Sequence, residues 1–266
     1  MISAHATHPG LVRQNNEDCI RTDDALGIYL LADGIGGHNA GEIASSIAVN
    51  TAYSVLRSNI AHTDAEGYFE LMVHAMQTAH WEIISKAQTC TTFTMMGTTL
   101  VVAVVRDDKA YIVNAGDSRC YLYQNSPPSS HDDAFVNTCE KPLFTVDSAS
   151  LKRLTTDHTV GDQLLESGVP RAEIPKKKFH TLTKSVGCGD PPYPDFNIAE
   201  LKYGDLVLIC SDGLTDMLSD SEIVEILARG DSNLDALAND LVTAANANGG
   251  RDNISIVLVE HRPNCS

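Results

Sequence analysis

The hydrophobic and polar positions of the chain change period several times, and each change predicts an element. Ser3–Thr7 and Cys19–Thr22 read as short strands, and the apolar run from Ile28 carries Asp33 to its end. The period then lengthens. Between Asn39 and Ser58, residues Ile43, Ile47, Ala48, Ala52, Val55 and Leu56 fall on one stripe, and Leu71, Met72, Ala75, Met76, Ala79 and Ile83 do the same between Tyr68 and Lys86. Two amphipathic helices in series predict an antiparallel pair laid on a sheet.

The β pattern returns in Gly97–Val105, Lys109–Asn114 and Arg119–Gln124, with Arg106–Lys109 as a hairpin loop. Residues 125–150 predict an extended, partly mobile hairpin. Beyond it come a short helix over Asp162–Ser167 and strands at His180–Ser185 and Asp195–Leu201. A second apolar run, Leu206–Cys210, again ends in an Asp-Gly pair, Asp212-Gly213. Ser219-Asp220-Ser221-Glu222 is a capping box that starts a helix through Leu227. A helix over Leu234–Ala245 and a strand over Ile254–Val259 close the chain.

Composition narrows the class. A chain of 266 residues, 43% hydrophobic and 20% charged, with no compositional boundary, predicts one soluble domain over 1–266. Lys and Arg number 19 against 35 Asp and Glu, a formal charge of −16, which argues against a nucleic-acid partner. Excess acid serves solubility, and it also serves to gather carboxylates around cations. The N-terminus lacks the basic start and apolar core of a signal peptide, and no apolar run is long enough to span a bilayer. Seven scattered cysteines without a CxxC pair fit reduced thiols, so a cytoplasmic protein with no membrane association is expected.

The chemistry lies at strand ends. Asp18, Asp33, Asp117, Asp212 and Asp252 each stand where a β-run meets glycine or polar turn residues. Around Asp33-Gly34-Ile35-Gly36-Gly37 a plain turn, an anion-binding loop and a metal-binding turn compete, and the Lys-Ser or Lys-Thr of a phosphate loop is missing. Taken by itself, Gly116-Asp117-Ser118 reads as a structural turn. If these carboxylates converge, they require cations or large upward pKa shifts. An all-oxygen set points to Mg²⁺ or Mn²⁺ rather than Zn²⁺. Glu17 and Asp18 face opposite ways in extended chain, so one reaches a given site directly. Arg13 is either a surface cation or a bidentate clamp for phosphate.

Seven short motifs in order give the chain a family likeness: Arg13…Asn16-Glu17-Asp18, Ala32-Asp33-Gly34-Ile35-Gly36-Gly37-His38, Met96-Gly97-Thr98-Thr99-Leu100, Gly116-Asp117-Ser118-Arg119, Leu154-Thr155-Thr156-Asp157-His158, Ser211-Asp212-Gly213-Leu214-Thr215-Asp216 and Arg251-Asp252-Asn253. Together they resemble the metal-dependent Ser/Thr protein phosphatases of type 2C, the PPM family, in its bacterial branch. The resemblance implies an α+β fold, a four-layer αββα sandwich of two mainly antiparallel sheets flanked by helix pairs. It implies hydrolysis of phosphoserine and phosphothreonine in proteins by a metal-activated water in a binuclear Mn²⁺ or Mg²⁺ centre, without a covalent intermediate. Asp33 would bridge two metals, the Gly34 carbonyl would bind the first, and Asp212 and Asp252 the second. Asp18 and, less directly, Glu17 would hold metal-bound waters. Asp117 and Asp216, with Asp212, would hold a looser third metal, and Arg13 the substrate phosphate. Residues 159–183 match the variable flap beside the cleft.

The chain departs from the family pattern in two places. Ile35 stands where eukaryotic members carry a histidine proposed as general acid, with His38 three residues later. Residues 125–150 exceed the usual connection. The expected partners are phosphorylated proteins, in opposition to a Ser/Thr kinase, and the chain is expected to be a monomer. Rival functions are a non-catalytic phosphoprotein-binding member and a phosphatase for small phosphoesters.

Overall fold

A computed structural model describes residues 1–36, 40–90, 93, 95–124, 150–229 and 233–262. His38 and nearly all of the 125–150 hairpin predicted above lie outside the described residues. In chain order the strands are β1 (Ile2–His8), β2 (Asp18–Asp23), β3 (Ile28–Ile35), β4 (Gly97–Thr98), β5 (Leu100–Arg106), β6 (Lys109–Ala115), β7 (Arg119–Gln124), β8 (Ser150–Arg153), β9 (Asp195–Glu200), β10 (Leu206–Cys210) and β11 (Ile254–Glu260). The helices are α1 (Ala40–Asn59), α2 (Tyr68–Ala87), α3 (Val160–Glu166), α4 (Asp212–Thr215), α5 (Asp220–Leu227) and α6 (Leu234–Ala247).

The strands form two antiparallel sheets, β1-β11-β10-β7-β8 and β2-β3-β5-β6-β9, with β4 beside the end of β3. Alternation along each strand explains how they stack. Leu30, Val102 and Val104 face α1 and α2, where they join Ala48, Leu56, Met72, Met76 and Ile83. Their neighbours Tyr29, Leu31, Val101 and Ala103 point the other way, against Leu122, Val207, Ile209, Val257 and Val259 of the second sheet. That sheet's outer face, with Tyr121, Leu208 and Leu258, is covered by Ile223 and Leu227 of α5 and by Leu237 and Leu241 of α6. Three apolar layers thus separate four layers of structure, and both faces of the central strands are dry. This is why those strands read as unbroken apolar runs, and it gives the αββα sandwich. Among the described residues no helix is long and apolar enough to cross a membrane.

The capping box forms as predicted: the Ser219 side chain accepts from the Glu222 backbone N–H and the Glu222 carboxylate accepts from the Ser219 N–H. Three predictions need correction. Asp33 is not at the end of its strand, because β3 runs on through Gly34 and Ile35, which pair with Thr98 and Gly97. The run Gly97–Val105 is broken at Thr99, whose backbone N–H bonds the Asp33 carbonyl at 2.9 Å instead of continuing one strand. His180–Ser185 is not a strand. Only Leu182 in it makes a β-bridge, to Thr159, and Lys176–His180 is a 3₁₀ turn. The segment bonds residues 158–160 through two backbone hydrogen bonds, Val160 N–H to the Thr181 carbonyl and Thr183 N–H to the His158 carbonyl, and, among the described residues, no more.

Ile209 is fully buried between the sheets. Ile209→Ala should lower unfolding free energy by about 2–5 kcal/mol, read from the urea midpoint at unchanged m-value. A loss below about 1 kcal/mol would show that the inter-sheet layer collapses around the cavity.

Candidate metal centre

The site begins with strand register. Antiparallel pairing of β2 and β3 sets Asp18 opposite Asp33, so two carboxylates stand side by side at one edge of a sheet. The Asp33 backbone is held on both sides: its N–H donates to Thr99 Oγ1 at 2.9 Å, and its carbonyl accepts from Thr98 Oγ1 at 2.7 Å. Gly34 follows because nothing larger fits, since a Cβ there would stand 2.2 Å from the Gly41 carbonyl oxygen.

The other sheet brings its own acids to the same edge. Ser211, at the exit of β10, donates through Oγ to Asp18 Oδ2 at 2.9 Å and accepts from the Ser255 N–H at 3.0 Å, which latches the two sheets together. Asp212 follows as the first residue of α4. It is therefore a helix start and not a strand end, although it reaches the same cleft as Asp33. Gly213 lets α4 lie on the last turn before β11, where a Cβ would meet the Asn253 carbonyl oxygen at 2.0 Å.

Asn253 then fixes the N-terminal loop. Its side-chain oxygen accepts from the Glu17 N–H at 2.8 Å, and its amide donates to the carbonyls of Asn15 at 2.8 Å and Pro9 at 3.0 Å. The loop so held carries Arg13, whose guanidinium bonds Asp252 at 2.7 Å. Both partners are substantially exposed, at 55% and 34%, so the pair contributes on the order of 0–1 kcal/mol. Arg13 can therefore change partners cheaply.

Arg13, Glu17, Asp33, Gly34, Asp117, Asp212 and Asp252 line one cleft of about 770 Å³, together with Ile35 and His180. Asp18 lies beneath it. Asp216 faces an adjoining cavity, and His180 Nδ1 approaches both Asp216 Oδ2 at 3.6 Å and Asp212 Oδ2 at 4.0 Å. All nine residues expected from the sequence therefore gather at one edge of the sandwich. His180 was missed, because nothing in its local sequence shows that a flap would fold it back onto Asp212 and Asp216. Thr98, Thr99, Ser211 and Asn253 lie inside recognisable motifs, yet their latching roles depend on contacts between distant segments.

The electrostatics of this arrangement are severe. Burial, followed by the charges of Asp18, Asp212, Asp117 and Asp252, pushes the Asp33 carboxyl well above its ordinary range. Burial and the neighbouring Asp117 and Asp216 do the same to Asp212. Burial raises Asp18 to about 6 against the hydrogen bonds that favour its charge, and Asp117 is raised to about 6 chiefly by burial and Asp157. Glu17 and Asp216 are also raised, burial again being the largest cause. Asp18 Oδ1 and Asp212 Oδ1 are buried and, among the described residues, accept no hydrogen bond. Such atoms are expensive unless something positive meets them. An oxygen-rich set with uncompensated buried carboxylates fits hard divalent cations.

These shifts fix a pH dependence for the metal-free protein. A carboxyl with a raised folded pKa contributes stability that is complete below its unfolded pKa of ~3.9 and is lost as pH rises through the folded value. Protein treated with chelator should accordingly show a falling melting temperature as pH rises from about 4 through about 6, with Asp18→Asn flattening part of the fall. Thermal melts across that range check this, and a melting temperature that rises there, with no effect of Asp18→Asn, would contradict it.

Known proteins share this architecture and its sequence. The family model described as protein phosphatase 2C matches residues 4–252. The serine/threonine phosphatase stp of Listeria innocua is 32% identical over 261 residues, covering 96% of this chain and 93% of that protein. The solved serine/threonine phosphatase of S. agalactiae is 30% identical with a TM-score of 0.79, over 98% of this chain and 99% of that one. The catalytic domain of the phosphatase PstP, solved in complex with two manganese ions, is 27% identical with a TM-score of 0.77, over 97% of both chains. With a family model across nearly its whole length, relatives aligned end to end and a matching fold, the chain belongs to the protein phosphatase 2C family and is a serine/threonine phosphatase of that family.

Proposed function

We propose that the whole chain works as one unit that removes phosphate from phosphoserine and phosphothreonine in proteins, using divalent cations held in the cleft. The observation that carries this reading is the convergence of Asp33, Asp117, Asp212 and Asp252 on one cleft above Asp18, with buried carboxylate oxygens that no group among the described residues satisfies. Asp33, the Gly34 carbonyl, Asp212 and Asp252 would hold two Mn²⁺ or Mg²⁺ ions, and Asp117, Asp216 and Asp212 a third, weaker one. The ions supply Lewis acidity, lowering the pKa of water and offsetting charge at the phosphoryl group.

The protein's own groups do the rest. Arg13, released from Asp252, pairs with two phosphoryl oxygens through its planar fork and orients the ester. Asp18 and Glu17 accept protons or hydrogen bonds from cleft water; burial raises both carboxyls, Asp18 to about 6. A protein nucleophile is disfavoured. Cys188 Sγ sits near the Met96 carbonyl with its thiol pKa raised by burial, and the Thr99 hydroxyl is occupied by Ser118 and the Asp33 N–H. Direct attack by water on the phosphorus is the step this reading takes. The flap over 159–183 contributes His180, Thr181 and Leu182 to the cleft wall. The physiological setting that fits is a cytoplasmic monomer opposing a Ser/Thr kinase.

Activity on phospho-Ser/Thr peptides should vanish in excess chelator and return with Mn²⁺ or Mg²⁺. Full turnover after metal analysis shows none bound would overturn the reading. Asp33→Asn should abolish turnover while leaving the metal-free melting temperature equal or higher, because a buried charge repulsion is removed.

Arg13→Ala should lower kcat/KM for phosphopeptide roughly 10- to 100-fold, the loss of a charge-assisted contact of about 1.5–3 kcal/mol. Calorimetry should show metal binding intact. Weakened metal binding with unchanged kcat/KM would instead place Arg13 among the supports of Asp252. Asp117→Ala should keep two tightly bound metals per chain and depress turnover, whereas a lower melting temperature with normal turnover per folded molecule would make Asp117 a turn residue only.

A further inference from the structure

The protein is strongly acidic, yet one cavity beside the catalytic cleft is basic. Its volume is about 1020 Å³, larger than the cleft itself, and the 3₁₀ turn ending at His180 divides the two, since His180 lines both. Arg119, Arg153, Arg171, Lys176 and Arg251 line it, against Asp157, Asp162 and Asp216. Five of the 19 Lys and Arg residues of a chain with 35 acids are thus collected around one space.

The carboxylates there do not cancel these cations. Asp157 is held by two arginines at once, Arg119 at 2.7 Å and Arg153 on its other oxygen, so this cluster keeps a net positive charge. Asp162 is turned into its own helix start, bonded to the Thr159 hydroxyl at 2.5 Å. Asp216 belongs to the metal centre. Arg171 lies over the Phe179 ring at 4.3 Å, which orders its stem and leaves its guanidinium edge free to donate. Among the described residues Arg171, Lys176 and Arg251 make no ion pair with a carboxylate. An excess of unpaired cations in a concave, walled space beside a phosphate-hydrolysing cleft is an anion subsite by its charge and shape.

We propose that this cavity binds a second anionic side chain of the same substrate protein, foremost a second phosphorylated residue near the one being hydrolysed. The inference rests on the phosphatase reading above and adds a substrate class to it, multiply phosphorylated or acid-flanked segments. The two cavities share a wall, so one extended peptide can occupy both, and the second contact raises the effective concentration of the scissile ester at the cleft. Arg119 and Arg153 stand on β7 and β8, whereas Arg171 and Lys176 come from the flap, so these two side chains tune the preference without contacting the carboxylates proposed as metal ligands.

The test compares three substrates at low salt: a peptide with one phosphothreonine in a neutral context, the same peptide with a second phosphoryl group two to six residues away, and p-nitrophenyl phosphate. The wild-type protein should favour the doubly phosphorylated peptide roughly 10-fold or more in kcat/KM, mainly through KM, with the advantage shrinking as salt rises. Arg171→Ala/Lys176→Ala should bring the ratio near one and leave p-nitrophenyl phosphate turnover unchanged. Arg171→Lys/Lys176→Arg should retain the preference, which separates charge from packing, and a thermal melt excludes unfolding. Equal kcat/KM for both peptides in the wild type, or a preference that survives the double alanine variant, overturns the proposal while leaving the phosphatase reading intact. Failure on all three substrates with metal present would instead count against that reading. Fluorescence anisotropy of the labelled doubly phosphorylated peptide then decides the subsite independently, since binding no tighter than the singly phosphorylated peptide rejects it.

Discussion

Mutual repulsion among buried carboxylates is the constraint on which the rest of this structure depends. Asp18 and Asp33 are forced together by strand register, and Asp212, Asp117 and Asp252 are brought within range by the second sheet and its turns. Each raises the proton affinity of its neighbours, so the arrangement is unfavourable until protons or cations offset it. A fold that keeps such a cluster must hold it against its own tendency to spread. The three apolar layers of the sandwich supply that rigidity, and the site sits at their edge where the backbone is still fixed but cations can enter.

The latches are therefore as informative as the acids. Thr98 and Thr99 grip both sides of the Asp33 peptide, Ser211 ties Asp18 across to the other sheet, and Asn253 pins the loop bearing Arg13 and Glu17. Every one of these bonds joins segments far apart in the chain. Carboxylates on separate loops would relax apart by side-chain rotation. Held from behind by backbone contacts, they stay fixed side by side, the preorganised arrangement that a cation site requires.

Charge is partitioned sharply over the surface. The chain is acidic overall, and its deepest concentration of negative charge is the cleft, yet the neighbouring cavity gathers arginines and a lysine from both core and flap. The 3₁₀ turn ending at His180 marks the border, with its imidazole against Asp212 and Asp216 on one side and Lys176 facing the basic space on the other. The border thus sets a cluster of buried carboxylates against a cationic wall.

The chain's periodicities were sufficient for the helix pair, the β-block and the closing strand, because long amphipathic stripes and dry apolar runs leave little choice of element. The recurrent Asp-Gly pairs drew attention to Asp33 and Asp212, and the family motifs named the remaining acids that the fold brings to the cleft. The sequence could not show that Asp33 lies inside a strand while Asp212 heads a helix, since that depends on pairing with β4 and on the approach of Asn253 to Gly213. Nor could it place His180, read as strand from its local pattern, or the basic cavity, whose cations are scattered from Arg119 to Arg251. Local pattern records which faces are buried. Which distant side chains meet is decided by the stacking of the sheets and the path of the flap, and only the tertiary structure holds that information.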